Sequence, residues 1–240
     1  MEKIEEILPD YCPFITVCGR RGSGKTNFVQ NLINIKRFKN VPVYLFSTTE
    51  DENDYNPEKT YNTFDEYYVN KLIDENTDKI IILDDVCHQK QVHSSQGLIR
   101  LATNGRHKKC TVILICHHYK QVCPSIRGNI DICVTYLIRN LDSLKELLTD
   151  HVAMPVKESK IIYDEIMQIE HSCMVINDNA RDLINYFEFK APLFKQKKQK
   201  KPIILNLDFQ ENNNIMQPKS INNDCYSELV SYDSVFNLII

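Results

Sequence analysis

One octapeptide limits the folds open to this chain more than any other feature: Gly19-Arg20-Arg21-Gly22-Ser23-Gly24-Lys25-Thr26. It fits the P-loop spacing of Gly, four residues, then Gly-Lys-Thr. Before it, PFITVCG (13–19) is a short apolar, β-rich run. After it, KTNFVQNLINIKRF (25–38) carries Phe28, Val29, Leu32, Ile33 and Ile35 at helical spacing. The loop therefore joins a strand to a helix, the context that separates a phosphate cradle from a glycine-rich turn with a surface lysine. Glycines let backbone N–H groups turn inward on phosphates, and the helix adds its positive N-terminus. In this frame Lys25 reaches the β- and γ-phosphates of ATP, and Thr26 places its hydroxyl on Mg²⁺. The expected nucleotide-binding stretch is Gly19, Arg20, Arg21, Gly22, Ser23, Gly24, Lys25, Thr26 and Asn27.

KIIILDDV (79–86) supplies the acidic partner. Four apolar residues carry Asp84 to the C-terminal end of a buried strand, where ligands bind in open α/β sheets. Asp84 is expected to hold the Mg²⁺ shell, directly or through water. Asp85 is placed to orient or deprotonate an attacking water; the plainer alternative is that it solvates a strand end.

Further strands are expected at 41–48, 110–118 and 131–137, with helices at 64–75, 95–107 (closed by Gly105 as a C-cap), 141–152 and 157–168. Residues 49–64 are polar and suggest a surface loop. Alternating strands and helices imply a mostly parallel sheet covered on both faces. The expected class is α/β: a three-layer P-loop NTPase domain over 1–192, with a C-terminal helix and a β-hairpin built from 172–178 and 183–190. Residues 193–240 are expected to form a Lys-rich linker and a flexible, Asn-rich tail.

Net charge is −3, so any nucleic-acid contact must use a local patch. Nine Cys without paired spacing point to a reducing compartment rather than a disulfide framework. The N-terminus MEKIEEILPDY has no apolar core of a signal peptide, and no run has the length of a membrane span. A GTPase would need Asn-Lys-x-Asp after a strand downstream of the metal Asp. NKLID (70–74) has its Asp one place late and lies upstream of Asp84. A small-acceptor kinase would need an Arg-rich lid, and residues 137–160 contain only Arg139.

NGRHKKCTVILICHHYK (104–120) narrows the reading. Arg106 stands just before a strand, where an arginine can reach a neighbouring subunit's γ-phosphate; the alternative is a surface ion pair. His117 or His118, at that strand's end, would lie between the P-loop strand and the Asp84 strand and sense the γ-phosphate. Cys116, His117 and His118 are adjacent on a strand, so their side chains diverge and do not make a zinc site.

PFITVCGRRGSGKT, IIILDDV, LIRLATNGRHKKCTVILICHHY, IRGNID and AMPVK occur in an order and at spacings that resemble the poxvirus virion DNA-packaging ATPases, a family of the FtsK–HerA superfamily of P-loop motors. The likeness covers about residues 13–190. It implies an ATPase that moves double-stranded viral DNA into an immature virion, as a ring of subunits, in the host cytoplasm. By position it implies that Lys25 and Thr26 are the phosphate and metal residues and that Asp84 and Asp85 are the acidic pair. Arg106 and Arg127 are the implied finger or relay arginines. The family has Gln where this chain has His117. A neutral imidazole can donate and accept like an amide but becomes donor-only when protonated, so the resemblance predicts activity that falls around pH 6–7 if His117 must be neutral. Lys108, Lys109, Lys120 and the Lys run 195–201 are the candidate contacts to duplex DNA, without base readout. The segment 203–240 is a candidate site for a capsid or virion partner. The two rival readings are a P-loop phosphotransferase and a nucleotide-binding assembly factor of low turnover.

Overall fold

The computed structural model describes residues 2–48, 55–89, 92, 94–180, 185–193 and 204–205. The chain divides into two units, Met1–Leu207 and Asp208–Ile240, and every described residue belongs to the first. The Lys run 195–201 and nearly all of the tail lie outside the described residues.

Among the described residues nine strands form one sheet: β1 (Phe14–Cys18), β2 (Val43–Ser47), β3 (Lys59–Tyr61), β4 (Lys79–Asp84), β5 (Cys110–Cys116), β6 (Ile132–Thr135), β7 (Cys173–Asn177), β8 (Tyr186–Phe189) and β9 (Ile204–Leu205). Their order is β8-β7-β6-β1-β5-β4-β2-β3-β9. Strands β1 to β6 and β9 run parallel; β7 runs antiparallel to β6, and β8 antiparallel to β7. The expected hairpin thus extends the sheet beside β6. A short strand, β3, interrupts the polar stretch read as a loop.

The helices are α1 (Glu2–Ile7), α2 (Lys25–Ile33), α3 (Glu66–Asp74), α4 (Gln96–Asn104), α5 (Pro124–Arg127), α6 (Leu141–His151) and α7 (Val156–Ile166). The central strands β1, β4, β5 and β6 are buried on both faces, and the pleat sorts their side chains into two cores. Ile80, Ile82, Ile113, Ile115, Ile132 and Val134 pack with Phe28, Val29 and Leu32 of α2 and with Ile4 of α1. Ile81, Leu83, Val112, Leu114 and Cys133 pack on the other face with Leu72 of α3, Leu98 of α4, Leu144 of α6 and Tyr163 of α7. That is the expected three-layer arrangement. Among the described cysteines all eight are free, seven of them buried, as core packing requires.

Gly105 is the C-cap of α4, as expected, but its backbone is not left-handed. Its φ of −52° and ψ of −44° are helical, and the chain continues in a 3₁₀ turn over Gly105–Lys108. Lys109 takes the left-handed conformation instead, at φ 57°. Gly105 packs closely against β5: an added Cβ would lie 3.4 Å from the Cys110 carbonyl oxygen.

Candidate nucleotide-binding site

Parallel strands β1, β4 and β5 end side by side, with Cys18 opposite Cys116 and Asp84 opposite Ile115. The loop Gly19–Gly24 rises from this edge. Helix α2 starts at Lys25 on Gly24, whose φ of 108° is natural only to glycine, and no side chain caps it. Its first N–H groups are left for an anion. Gly19 sits where no side chain fits, since an added Cβ would come 2.6 Å from Tyr136 Cβ. Tyr136 is 2% exposed and supports the loop from below, its hydroxyl donating to the Gly24 carbonyl at 3.2 Å. The Tyr163 hydroxyl in turn donates to the Tyr136 carbonyl at 2.9 Å. Neither tyrosine belongs to the motif. Only the pairing of β6 with β1 brings Tyr136 under the loop.

Lys25 is buried and its Nζ donates to the carbonyls of Gly19 at 2.7 Å and Arg20 at 3.1 Å. Burial lowers its pKa, against the pull of nearby Asp84. Nζ also lies 3.3 Å from His117 Nδ1, and His117 Nε2 lies 3.4 Å from Asp85 Oδ2. A neutral imidazole with its hydrogen on Nε2 satisfies both contacts, accepting from Lys25 and donating to Asp85. His117 therefore joins the P-loop strand to the acidic strand, at the place expected for it. His118 is exposed.

Asp84 stands at the end of β4. Its Oδ2 accepts from the Tyr55 hydroxyl at 2.9 Å, a partner that no sequence signal indicated. Burial raises the Asp84 pKa; the Tyr55 hydrogen bond opposes the rise, Asp85 adds to it, and Lys25 and His117 oppose it. Asp85 has φ 54°, a left-handed conformation that acidic side chains tolerate better than most and that recurs at functional sites. In the loop, Ser23 Oγ is buried with no partner among the described residues. An orphaned hydroxyl, a helix N-terminus that no side chain caps and a buried ammonium are a donor set that fits phosphate oxygens.

The other expected residues are placed as follows. Thr26 is half-buried in the first turn of α2, and Arg20 and Arg21 are exposed. The Asn27 side chain reaches the segment after β8, donating to the Pro192 carbonyl at 2.9 Å. Asn31 donates to the same carbonyl at 2.8 Å. Arg106 is exposed in the turn before β5, its guanidinium 5.9 Å from the Tyr11 ring centroid. The seven residues of β5 separate it from the P-loop edge by about 20 Å. There Arg106 borders a cavity of about 880 Å³ shared with Asp131, Asp150 and Asp178. Arg127, read as a finger or relay, is engaged within its own chain. It donates to the Val122 carbonyl at 3.0 Å, pairs with Glu146 at 3.3 Å and Asp150 at 3.5 Å, and stacks 4.7 Å from the Tyr119 ring. Its Nε and Nη1 are thus engaged by its own chain. Lys120 is paired with Glu146 at 3.7 Å; Lys109 is exposed and Lys108 half-buried.

The sequence pattern of the poxvirus A32 proteins matches residues 43–180. The chain belongs to the poxvirus A32 protein family. The matched stretch runs from β2 through β7 and holds Asp84, Asp85, Arg106, His117 and Arg127; the P-loop, residues 19–26, precedes it. Protein 075L of invertebrate iridescent virus 6 is 28% identical over 192 residues, 72% of this chain and 74% of that one. Among solved structures, the genome packaging NTPase B204 of Sulfolobus turreted icosahedral virus 2, in complex with AMPPCP, superimposes with a TM-score of 0.56 at 12% identity, covering 75% of this chain and 98% of B204. The pCW3 conjugation coupling protein TcpA, with ATPγS, gives a TM-score of 0.58 at 13% identity over 77% of this chain and 61% of TcpA. These likenesses show that the family member has the P-loop ATPase fold. Among the described residues no helix is long and apolar enough to cross a membrane.

Proposed function

We propose that this chain is an ATP-hydrolysing motor that moves double-stranded viral DNA into the virion as one subunit of an oligomeric ring. The observation that carries the reading is the division of the site between two edges of one sheet. Lys25, His117 and Asp85 are linked at the C-terminal edge. Arg106 stands at the opposite edge, beyond reach of its own P-loop. An arginine so placed serves a nucleotide only across a contact between copies. Such a head-to-tail contact closes into a ring when its rotation allows. Membership of the A32 family and the likeness to a protein described as a genome packaging NTPase support a viral genome as the substrate.

In the proposed cycle Lys25 and the α2 N-terminus hold the phosphates. Asp85 orients the attacking water and is itself oriented by His117. The Asp84 carboxylate, pushed toward its neutral form by burial, fits a divalent cation that would neutralise it, with Thr26 as the second protein oxygen. Mg²⁺, when bound, supplies charge neutralisation at the phosphates. Duplex DNA is held through its phosphates, without base readout, with exposed Lys109 among the described candidates. The setting is the host cytoplasm at the site of virion assembly, with a capsid or virion protein as a further partner.

The test is ATP hydrolysis by purified protein with and without linear duplex DNA at two salt concentrations, beside Lys25→Ala. A DNA-dependent rise, weakened by salt and absent from Lys25→Ala, is expected. Hydrolysis indifferent to DNA, or ATP bound without turnover, would overturn the motor reading in favour of a phosphotransferase or a low-turnover assembly factor respectively.

A further inference from the structure

The imidazole of His117 is useful only if it meets Lys25 and Asp85 at once, and a side chain at the last turn of a strand is held no better than its backbone. The backbone here has a specific holder. The N–H groups of His117 and His118 both donate to Gln121 Oε1, at 3.1 and 3.0 Å. The Gln121 N–H donates back to the His118 carbonyl at 2.9 Å. One side chain thus closes the turn that follows β5. Without it, both N–H groups at the strand end would be unpaired.

The turn is also fixed from below. Tyr119 is fully buried, and its hydroxyl lies 2.9 Å from Asp150 Oδ2 and 2.8 Å from His151 Nε2. Arg127 covers its ring. With Tyr119 anchored in the core and Gln121 bridging the two N–H groups, residues 117–121 have one arrangement. The direction in which His117 leaves the sheet follows from it.

We infer that Gln121 is a positioning residue that sets His117 between Lys25 and Asp85, an inference that rests on the reading of this site as an ATPase. Gln121 touches neither nucleotide-site residue through its side chain, so it acts only through His117. It needs a carboxamide or carboxylate oxygen and nothing more, which separates it from a residue that merely fills space.

The experiment is a double-mutant cycle with a spectroscopic arm on the full chain. Gln121→Ala is expected to lower kcat about 10- to 100-fold, as a misplacement of the order of 1 Å does, with nucleotide Kd changed by no more than about twofold. Gln121→Glu, which keeps the acceptor oxygen, is expected to restore turnover. In a His117→Ala background, Gln121→Ala is expected to cost nothing further. Nitrogen NMR of the His117 ring is expected to show the Nε2–H tautomer in the wild type and its loss in Gln121→Ala. An equal fall in the His117→Ala background, a Gln121→Glu variant as slow as Gln121→Ala, or an unchanged His117 spectrum would overturn the inference. If the wild type binds ATP and hydrolyses none, the ATPase reading fails, and the ring spectrum alone decides whether Gln121 positions His117.

Discussion

Replacing Gly19 by alanine tests whether the P-loop is held by its own sequence or by the strand beside it. The added Cβ would lie 2.6 Å from Tyr136 Cβ and 3.0 Å from Ser23 Oγ. Carbon atoms in contact sit about 3.5–4.0 Å apart, so about 1 Å must open. Ser23 can rotate away, but Tyr136 Cβ cannot. The Tyr136 N–H donates to the Cys18 carbonyl at 2.8 Å, and the Gly19 N–H donates to the Cys116 carbonyl at 3.2 Å. Both sides of the clash are pinned to the sheet. Overpacking of this kind costs about 1–3 kcal/mol, and at about 2–4 °C per kcal/mol for a chain of this size the melting temperature should fall by about 2–12 °C. The displaced loop should also lose phosphate affinity, because its N–H groups no longer converge. Gly128→Ala is the control: nothing lies within 4 Å of its added Cβ, and its φ of −70° suits any residue. The assay is thermal denaturation of both variants, with titration by a fluorescent ATP analogue. A Gly19→Ala protein that melts with the wild type and binds nucleotide equally would show that Tyr136 does not brace the loop.

Three further outcomes are expected. Asp84→Asn should abolish hydrolysis yet raise the melting temperature of the nucleotide-free protein at neutral pH. The folded-state pKa of Asp84 is raised by burial, so its favourable contribution is complete below the unfolded value and is lost as pH rises through the folded one. The gain in Asp84→Asn should therefore shrink toward acid pH, and a destabilised variant at pH 7 would refute the argument. Arg106→Ala should lose about 10³–10⁵ in turnover and regain part of it when mixed with Lys25→Ala subunits, each supplying what the other lacks; a mixture as inactive as its components would exclude action across the contact. His117→Phe should lower turnover, because its ring can neither accept from Lys25, 3.3 Å from the imidazole Nδ1, nor donate to Asp85, 3.4 Å from Nε2. Turnover equal to the wild type would remove His117 from the chemistry.

The elements legible in the sequence are those set by local pattern. An apolar run, a glycine spacing and a helical period are enough to place β1, the loop and α2, because each is written within a few consecutive residues. IIILDDV locates Asp84 at a strand end for the same reason: the buried run stops where the acids begin. The alternation of strands and helices gives the parallel sheet. The tertiary structure decided which groups meet. Tyr136 under the loop, Tyr55 on Asp84 and Gln121 at the His117 backbone follow from strand order and crossovers, which no single segment encodes. The same holds for the arginines. Arg106 and Arg127 read alike in the sequence, yet one is exposed at the far edge and the other is spent on Glu146, Asp150 and the Tyr119 ring. Whether a guanidinium is free depends on the acids that other elements bring to it, and those lie on α6, which becomes its neighbour only when the chain is folded.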